Sequence, residues 1–142
     1  MEIITALPEH RKEILGLLQS QNLPVEDLPL QLSDFYTAIK GEHVVGVIGM
    51  ERYGRYGLLR SMVVHPDYRR QNIAGTLVNT LEQAALLTGI QVIYLLTETA
   101  ADYFTRKGYN PIDRDQVADE IKVSTEYSGV CPVSAVVMTK IL

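Results

Sequence analysis

The sequence predicts an α/β fold in a single domain, with a mixed, mostly antiparallel sheet that contains one parallel strand–helix–strand crossover. Two observations carry this prediction. Three apolar segments follow one another through short turns between residues 35 and 64, which is typical of antiparallel strands. The chain then takes helical spacing over 72–89 and returns to a continuous apolar run at 92–96, as a right-handed crossover requires.

The bulk properties are those of an ordinary globular domain. The 142 residues suit one domain, 1–142, and 46% hydrophobic residues are enough for a packed core. The formal net charge of -4 argues against nucleic acid as a partner, because phosphate backbones require a basic surface. With one cysteine, no signal-like start and no apolar run long enough for a membrane span, we expect a cytoplasmic protein.

The first half of the chain reads as one helix and four strands. Residues 2–7 form a short strand, and Pro8 begins an amphipathic helix that reaches about Gln21. The following stretch holds two prolines and is expected to be a loop with a helical turn. The strands of the antiparallel set are predicted at about 35–40, 43–52 and 57–64, with Gly41-Glu42 as the first turn.

The second half alternates helices and strands. The long helix ends at Gly89, and "VIYLL" at 92–96 is the buried parallel strand. A short helix ends at Gly108, and 110–133 receives no assignment. The last segment, 134–142, is a strand whose exposed edge is available for a homodimer. The apolar face of the long helix is predicted to consist of Ile73, Leu77, Leu81, Ala84 and Thr88.

The stretch "HPDYRRQNIAGT", residues 65–76, joins a strand to a helix, and we call it the basic turn. The first N–H groups of a helix have no partner within it and lie at the positive end of its dipole. Ala74 and Gly75 let an anion approach the backbone, and Arg69 and Arg70 add charge. These features together favour a diphosphate site. The alternative is a solvated loop with two exposed arginines.

Two segments resemble known motifs. "VVHPDYRRQNIAGTLVNTL" resembles the acetyl-CoA-binding segment of the GCN5-related N-acetyltransferase (GNAT) superfamily, whose pattern is V-x-P-x-x-R-x-x-G-[IVL]-[GA]-x-x-L. "AADYFTRKGY" resembles the later helix of that family, and the resemblance covers nearly the whole chain. A narrower resemblance links the chain to arsenic-resistance N-acetyltransferases. The residues that match the first pattern are Val64, Pro66, Arg69, Ile73, Ala74 and Leu77.

The resemblance implies a GNAT fold with acetyl-CoA as co-substrate and the crossover at the cofactor site. The strand before the basic turn would pair its backbone with pantetheine, and it would diverge from its parallel neighbour to admit the thioester. The cofactor-binding residues implied are Met62, Val63, Val64, Arg69, Arg70, Gln71, Asn72, Ile73, Ala74, Gly75, Thr76 and Thr97.

The sequence departs from the family pattern at three positions. Asn72 stands where the first glycine is usual, and asparagine tolerates left-handed backbone better than most residues. Thr97 replaces a common asparagine. Phe104 occupies the position of the tyrosine that often protonates the leaving thiolate, and the neighbouring Tyr103 points about 100° away on the helix.

Glu51 is the candidate catalytic base, because it follows an apolar strand near the centre of this fold; a solvated carboxylate is the alternative. Arg60 interrupts an apolar strand and either pairs with a carboxylate or holds an acidic acceptor. Tyr53 and Glu126 are candidates for the acceptor pocket. Cys131 is either a packing residue or a reactive thiol near that pocket. The three histidines are not clustered, so no metal site is expected.

The predicted function is acetyl transfer from acetyl-CoA to a primary amine of a small molecule. The resemblance and Arg60 favour an amino-acid-like acceptor that contains arsenic or phosphorus. Two alternatives remain open. Loss of the tyrosine acid, with Phe104 in its place, favours a CoA-binding sensor or interaction domain, whereas an open acidic groove would favour a protein N-acetyltransferase. We expect no nucleic-acid or membrane partner, and a homodimer is compatible with the fold.

Overall fold

The computed structural model describes residues 1–124, 127 and 134–142. The strands are β1 (Glu2–Thr5), β2 (Phe35–Lys40), β3 (His43–Tyr53), β4 (Tyr56–Val64), β5 (Val92–Thr97), β6 (Asn110–Ile112) and β7 (Val136–Ile141). The α-helices are α1 (Arg11–Ser20), α2 (Ile73–Leu87), α3 (Ala101–Arg106) and α4 (Asp119–Lys122). Short 3-10 turns lie at Pro8–His10, Pro66–Tyr68 and Arg114–Gln116.

The strands form a seven-stranded sheet in the order β1-β2-β3-β4-β5-β7-β6. β4 and β5 are parallel and are joined by α2, whereas β1–β2, β2–β3, β5–β7 and β6–β7 are antiparallel. The predicted α/β class, the mixed sheet and the parallel crossover are therefore confirmed. The contacts within the chain group it into two units, so the single domain over 1–142 stays a prediction.

The first unit comprises Met1–Met50 and Ser61–Ala84. Its core buries Ile14 and Leu18 of α1 against Phe35 of β2 and Val47 of β3. Gly46 of β3 lets the first turns of α2 lie close to the strand. A Cβ atom at Gly46 would lie 3.1 Å from Leu77 Cδ1 and 3.2 Å from Ile73 Cγ2. A side chain at this position would therefore crowd the first turns of α2, which follow the basic turn.

The second unit comprises Glu51–Arg60 and Ala85–Leu142. Its core contains Leu58 of β4, Tyr94 of β5 and Val137 of β7, covered by Val117 and Ile121 from the region of α4. The region that received no assignment from the sequence thus contributes both an edge strand, β6, and the helix that covers this core. Both are short, which leaves little periodicity to detect.

Two expectations about single elements were wrong. β7 is not the edge of the sheet, because it pairs with β5 on one side and with β6 on the other. Along Val137–Thr139, β7 is paired with β6, so this part of the strand is not an open edge at which a second copy of the chain could pair. In α2, Thr88 is exposed and lies beyond the last helical residue, whereas Ala85 is buried, since four residues after Leu81 return to the same face. Within the described residues, no helix is long and apolar enough to cross a membrane.

Candidate functional site

The basic turn has a backbone suited to anions. It leaves β4 through a hydrogen bond from His65 N to Val45 O of 2.8 Å, and His65 Nδ1 accepts a hydrogen bond from Asp67 N at 3.1 Å. Arg70 and Asn72 both have left-handed backbone, with φ of 65° and 59°. A left-handed residue directly before a helical one turns successive N–H groups toward one side, and this concavity binds anions. Asn72 thus adopts the conformation expected where the usual glycine is missing.

The first backbone amides of α2 have no acceptor within the helix itself. The helix is 15 residues long and has no acidic residue in its first turn, so the positive end of its dipole is not neutralised there. Thr76 closes the first turn through its N–H and its hydroxyl, which both donate to Asn72 O at 3.1 and 2.9 Å. The hydroxyl proton of Thr76 is therefore directed to the helix backbone. The amides of Ile73, Ala74 and Gly75 lie before this first hydrogen bond of the helix, where N–H groups can bind an outside acceptor.

Three basic side chains lie in or beside the basic turn. Arg69 and Arg70 are exposed, and Arg69 Nη2 donates to Gln21 Oε1 at 3.0 Å. Lys40, at the end of β2, donates from Nζ to Gln71 Oε1 at 3.2 Å and lies 5.3 Å from the centroid of the Tyr68 ring. Sequence reasoning missed Lys40, because only strand pairing brings the end of β2 to a turn 31 residues away. The arginines predicted for this site are thus joined by a third basic side chain.

The strand residues predicted to bind the cofactor lie beyond the β4–β5 ladder. That ladder pairs Tyr56–Leu58 with Val92–Tyr94, whereas β4 continues to Val64 and β5 to Thr97. Met62 is half-buried, and Val63 and Val64 are buried. Thr97 Oγ1 accepts a hydrogen bond from Ala100 N at 3.0 Å, so this side chain supports the start of α3 in the described structure.

The position of the usual tyrosine acid is filled by a core residue. Phe104 is 4% exposed, and its ring lies 5.3 Å from that of Tyr103 and 5.5 Å from that of Tyr109, in edge-to-face geometry. The hydroxyl of Tyr103 is buried and has no hydrogen-bond partner among the residues that the structure describes. Burial raises the pKa of Tyr103, which favours its protonated form.

A carboxylate cluster lies in the second unit and consists of Glu51, Tyr53, Arg60 and Ser124. Glu51 Oε2 accepts a hydrogen bond from Arg60 Nη1 at 2.6 Å, and Glu51 Oε1 accepts from Ser124 Oγ at 2.9 Å and from the Tyr53 hydroxyl. The side chain of Arg60 has 0% exposure and that of Glu51 16%. The cluster therefore joins the end of β3, the middle of β4 and Ser124, which lies two residues after the end of α4.

This geometry bears on the two alternatives for Arg60. The guanidinium is paired with a carboxylate and presents no surface to a ligand in the described structure. Ser124 was not identified from the sequence, because it lies 73 residues from Glu51 and no local pattern marks it. Burial raises the pKa of Tyr53, and its hydrogen bond to Glu51 raises it further.

Two predicted acceptor residues, Glu126 and Cys131, lie outside the described residues. In the ranges that the structure describes, no group of three or more histidine, cysteine, aspartate or glutamate side chains is arranged to hold a metal ion. The candidate site therefore consists of two parts that can be described separately: the basic turn with Lys40, and the carboxylate cluster.

Comparisons with known proteins identify the family of this chain. Residues 31–111, more than half of the chain, match the family model described as an acetyltransferase (GNAT) domain. The amino-acid acetyltransferase of Escherichia coli (strain K12) is 22% identical, with 81% of this chain and 27% of that protein covered. The chain thus spans about a quarter of the length of the curated relatives that it matches.

Solved structures share the fold at low identity. An N-acetylglutamate synthase from Neisseria gonorrhoeae, complexed with coenzyme A and N-acetyl-glutamate, has a TM-score of 0.85 at 16% identity. The match covers 99% of this chain and 35% of the Neisseria gonorrhoeae chain. A Mycobacterium tuberculosis protein in complex with CoA also has a TM-score of 0.85, at 22% identity, over 100% of this chain and 99% of that one.

Proposed function

Because this chain belongs to the GNAT acetyltransferase family, we propose that it transfers the acetyl group of acetyl-CoA to a primary amine of a small molecule. One observation carries the proposal: the basic turn combines left-handed Arg70 and Asn72 with the start of α2, whose first turn holds no acidic residue. Coenzyme A contains a diphosphate, and a concavity of backbone N–H groups at a helix start is suited to that group.

The diphosphate would be held by the amides of Arg70 to Gly75, with Arg69 and Arg70 as counter-charges. Arg70 is exposed, so its forked donors are accessible to phosphate oxygens. Lys40 would add a third positive charge through its position beside Gln71 and Tyr68. Met62, Val63 and Val64 would pair with the pantetheine arm, because they lie beyond the residues that β4 shares with β5.

The chemical step asks for few protein groups. A neutral amine attacks the thioester carbonyl, its proton passes to a base, and the thiolate leaves. A thiol pKa near 8.5 makes the thiolate an adequate leaving group without an acid. The buried Phe104 is compatible with this unassisted departure. Glu51 is the proposed base, because its carboxylate contacts Arg60 of β4, two residues past the end of the β4–β5 ladder.

The proposed acceptor is an amino acid or a molecule like one. The curated relatives named amino-acid acetyltransferases support this class. An arsenic- or phosphorus-containing acid as acceptor stays a prediction from the narrower sequence resemblance, as do the cytoplasmic location and the homodimer. Since Arg60 is paired with Glu51, a different cation would have to recognise the acid group of such an acceptor.

A sensor or interaction domain that binds CoA without catalysis is the second candidate. The observation that favours it is Phe104, which is packed in the core where many relatives of this family place their acid. A protein N-acetyltransferase stays the third alternative, and among the described residues we find no feature that favours it.

The test uses the full chain with acetyl-CoA and a panel of amino acids and simple primary amines. Calorimetry measures acetyl-CoA binding, and release of free thiol measures turnover. Binding with turnover of amino acids supports the proposal, and binding without turnover of any amine favours the sensor. The double variant Arg69→Ala with Arg70→Glu should weaken binding at least about tenfold, since two charge-assisted contacts are lost. Equal affinity of this variant and the unchanged chain would contradict the assigned phosphate site.

A further inference from the structure

The carboxylate of Glu51 is already engaged by its neighbours, which raises the question of how an amine proton reaches it. Oε1 accepts from both Ser124 and Tyr53, and two acceptor positions are all that one carboxylate oxygen offers. Oε2 accepts from Arg60, whose side chain is fully buried. A proton can therefore reach Oε1 only along one of its existing hydrogen bonds, or after a donor has been displaced.

The members of the cluster differ in their access to solvent. Arg60 and Ser124 are buried, and Ser124 is only 2% exposed. Tyr53 is half-buried, so it is the donor to Oε1 that an incoming molecule can reach. A phenol oxygen accepts a proton from one side while it donates its own on the other, which a guanidinium cannot do.

From this arrangement we infer that Tyr53 is a further catalytic residue, which relays the amine proton of the acceptor to Glu51. The inference rests on the proposed acetyl transfer. As the amine nitrogen forms its bond to the carbonyl carbon, an N–H bond breaks and the proton moves to the Tyr53 oxygen. The O–H bond of Tyr53 breaks in the same event, and its proton moves to Glu51 Oε1. The thioester C–S bond then breaks, and the electron pair leaves with the thiolate.

Three properties of the cluster fit this role. The Arg60–Glu51 contact of 2.6 Å holds the receiving carboxylate in place, as a pre-organised base requires. Arg60 follows Leu58, the last β4 residue of the parallel ladder, by two residues, so the carboxylate that Arg60 holds lies beside β4 beyond its pairing with β5. The neutral phenol of Tyr53 donates its hydrogen bond to Glu51 Oε1, which is the direction in which the relay moves the proton.

The experiment compares Tyr53→Phe with Tyr56→Phe in the full chain. Both variants lose one phenol oxygen from the same turn, but the Tyr56 hydroxyl lies outside the cluster and accepts from Arg55 Nε at 3.1 Å. Thiol release is measured over a pH series in H2O and in D2O, with an amine that the unchanged chain acetylates. We expect Tyr53→Phe to lower kcat about 10²-fold or more, with an unchanged KM for acetyl-CoA. Its solvent isotope effect and pH profile should also change, whereas Tyr56→Phe should match the unchanged chain.

The outcomes separate this inference from the proposed function. A kcat for Tyr53→Phe within twofold of the unchanged chain, with the same isotope effect, would overturn the relay and leave acetyl transfer intact. An unchanged chain that binds acetyl-CoA but acetylates no amine would overturn both. Equal losses in the two tyrosine variants would assign Tyr53 a packing role and would also overturn the relay.

Discussion

At the scale of single residues, the pair of Arg60 and Glu51 has to be understood as structure before it is tested as chemistry. A buried guanidinium without a partner costs far more than the pair contributes to stability, because the charge remains out of water. Arg60 has no exposed side-chain surface, and its guanidinium donates to the carboxylate of Glu51. A change at Glu51 therefore alters stability whether or not Glu51 acts as a base.

We predict that Glu51→Gln lowers the free energy of unfolding by about 3 kcal/mol, since it takes the carboxylate charge away from the buried guanidinium of Arg60. It should also lower kcat while acetyl-CoA binding is spared, because the amide cannot accept the amine proton. Urea unfolding measures the first effect, and thiol release per folded molecule measures the second.

The matched control is the double variant Glu51→Gln with Arg60→Met. It removes the buried charge together with its anion, so stability should return in part. Activity should not return, because the carboxylate is still missing. Recovered activity in the double variant would mean that Glu51 is only the partner of Arg60.

Asn72 has a left-handed backbone conformation that few residue types adopt easily. Its φ of 59° is open to glycine at no cost and to asparagine at a small one, whereas a β-branched side chain is strongly disfavoured there. We predict that Asn72→Gly keeps acetyl-CoA affinity and stability, and that Asn72→Val weakens binding and costs about 1–2 kcal/mol of stability. Calorimetry and thermal unfolding measure both. If Asn72→Val binds acetyl-CoA as well as Asn72→Gly does, the left-handed turn is not needed for the cofactor.

At the scale of elements, the close packing of α2 on β3 connects the core to the basic turn. Ile73 and Leu77 are almost fully buried, and both approach Gly46 more closely than a Cβ atom would allow without a shift. Because side chains in a packed core have little room to move, an added methyl group would displace the start of the helix. The amides that would face the diphosphate lie on that same helical turn.

We predict that Gly46→Ala lowers the free energy of unfolding by about 1–3 kcal/mol and weakens acetyl-CoA binding at the same time. Gly16→Ala is the control. It lies on the exposed side of α1 with open space at its Cβ, so alanine there should stabilise the chain by about 0.5–1 kcal/mol. Chemical unfolding and calorimetry on both variants provide the comparison. A Gly46→Ala variant with unchanged affinity would show that the position of α2 tolerates displacement.

At the scale of the whole molecule, buried phenols couple stability to alkaline pH. Burial raises the pKa of Tyr53, Tyr94 and Tyr103 above the usual value of 10.0. At pH values between the ordinary pKa and the raised pKa, the folded chain keeps phenolic protons that the unfolded chain has lost. The stability that depends on these groups is therefore complete below pH 10 and is lost as pH rises through the folded-state pKa.

We predict that the free energy of unfolding falls steadily as the pH is raised above 10, and that Tyr103→Phe reduces the slope. Tyr103 is suited to this comparison because its hydroxyl is buried without a described partner, so phenylalanine removes no known hydrogen bond. Urea unfolding at a series of pH values from 8 to 11 gives the slope. An identical slope in the variant would mean that the Tyr103 phenol titrates normally in the folded chain.

Local periodicity was enough to predict most of the helices and strands. The strands at 35–64, α2, β5 and the parallel crossover all follow from patterns within short windows, and the structure confirms them. The basic turn belongs to the same class, since strand, turn and helix start are consecutive in the chain. Even the left-handed backbone at Asn72 could be anticipated, because it depends on the intrinsic preference of one residue.

Contacts between residues far apart in the chain could not be predicted from local patterns. The sequence could not show that Lys40 reaches Gln71, that Ser124 and Tyr53 share the carboxylate oxygen of Glu51, or that β6 covers β7. Each of these contacts depends on strand order and register, which are set by the packing of the whole sheet rather than by any short segment. The type of a residue indicates which chemistry it can perform. Which residues become its partners depends on the free energy of burying many side chains together.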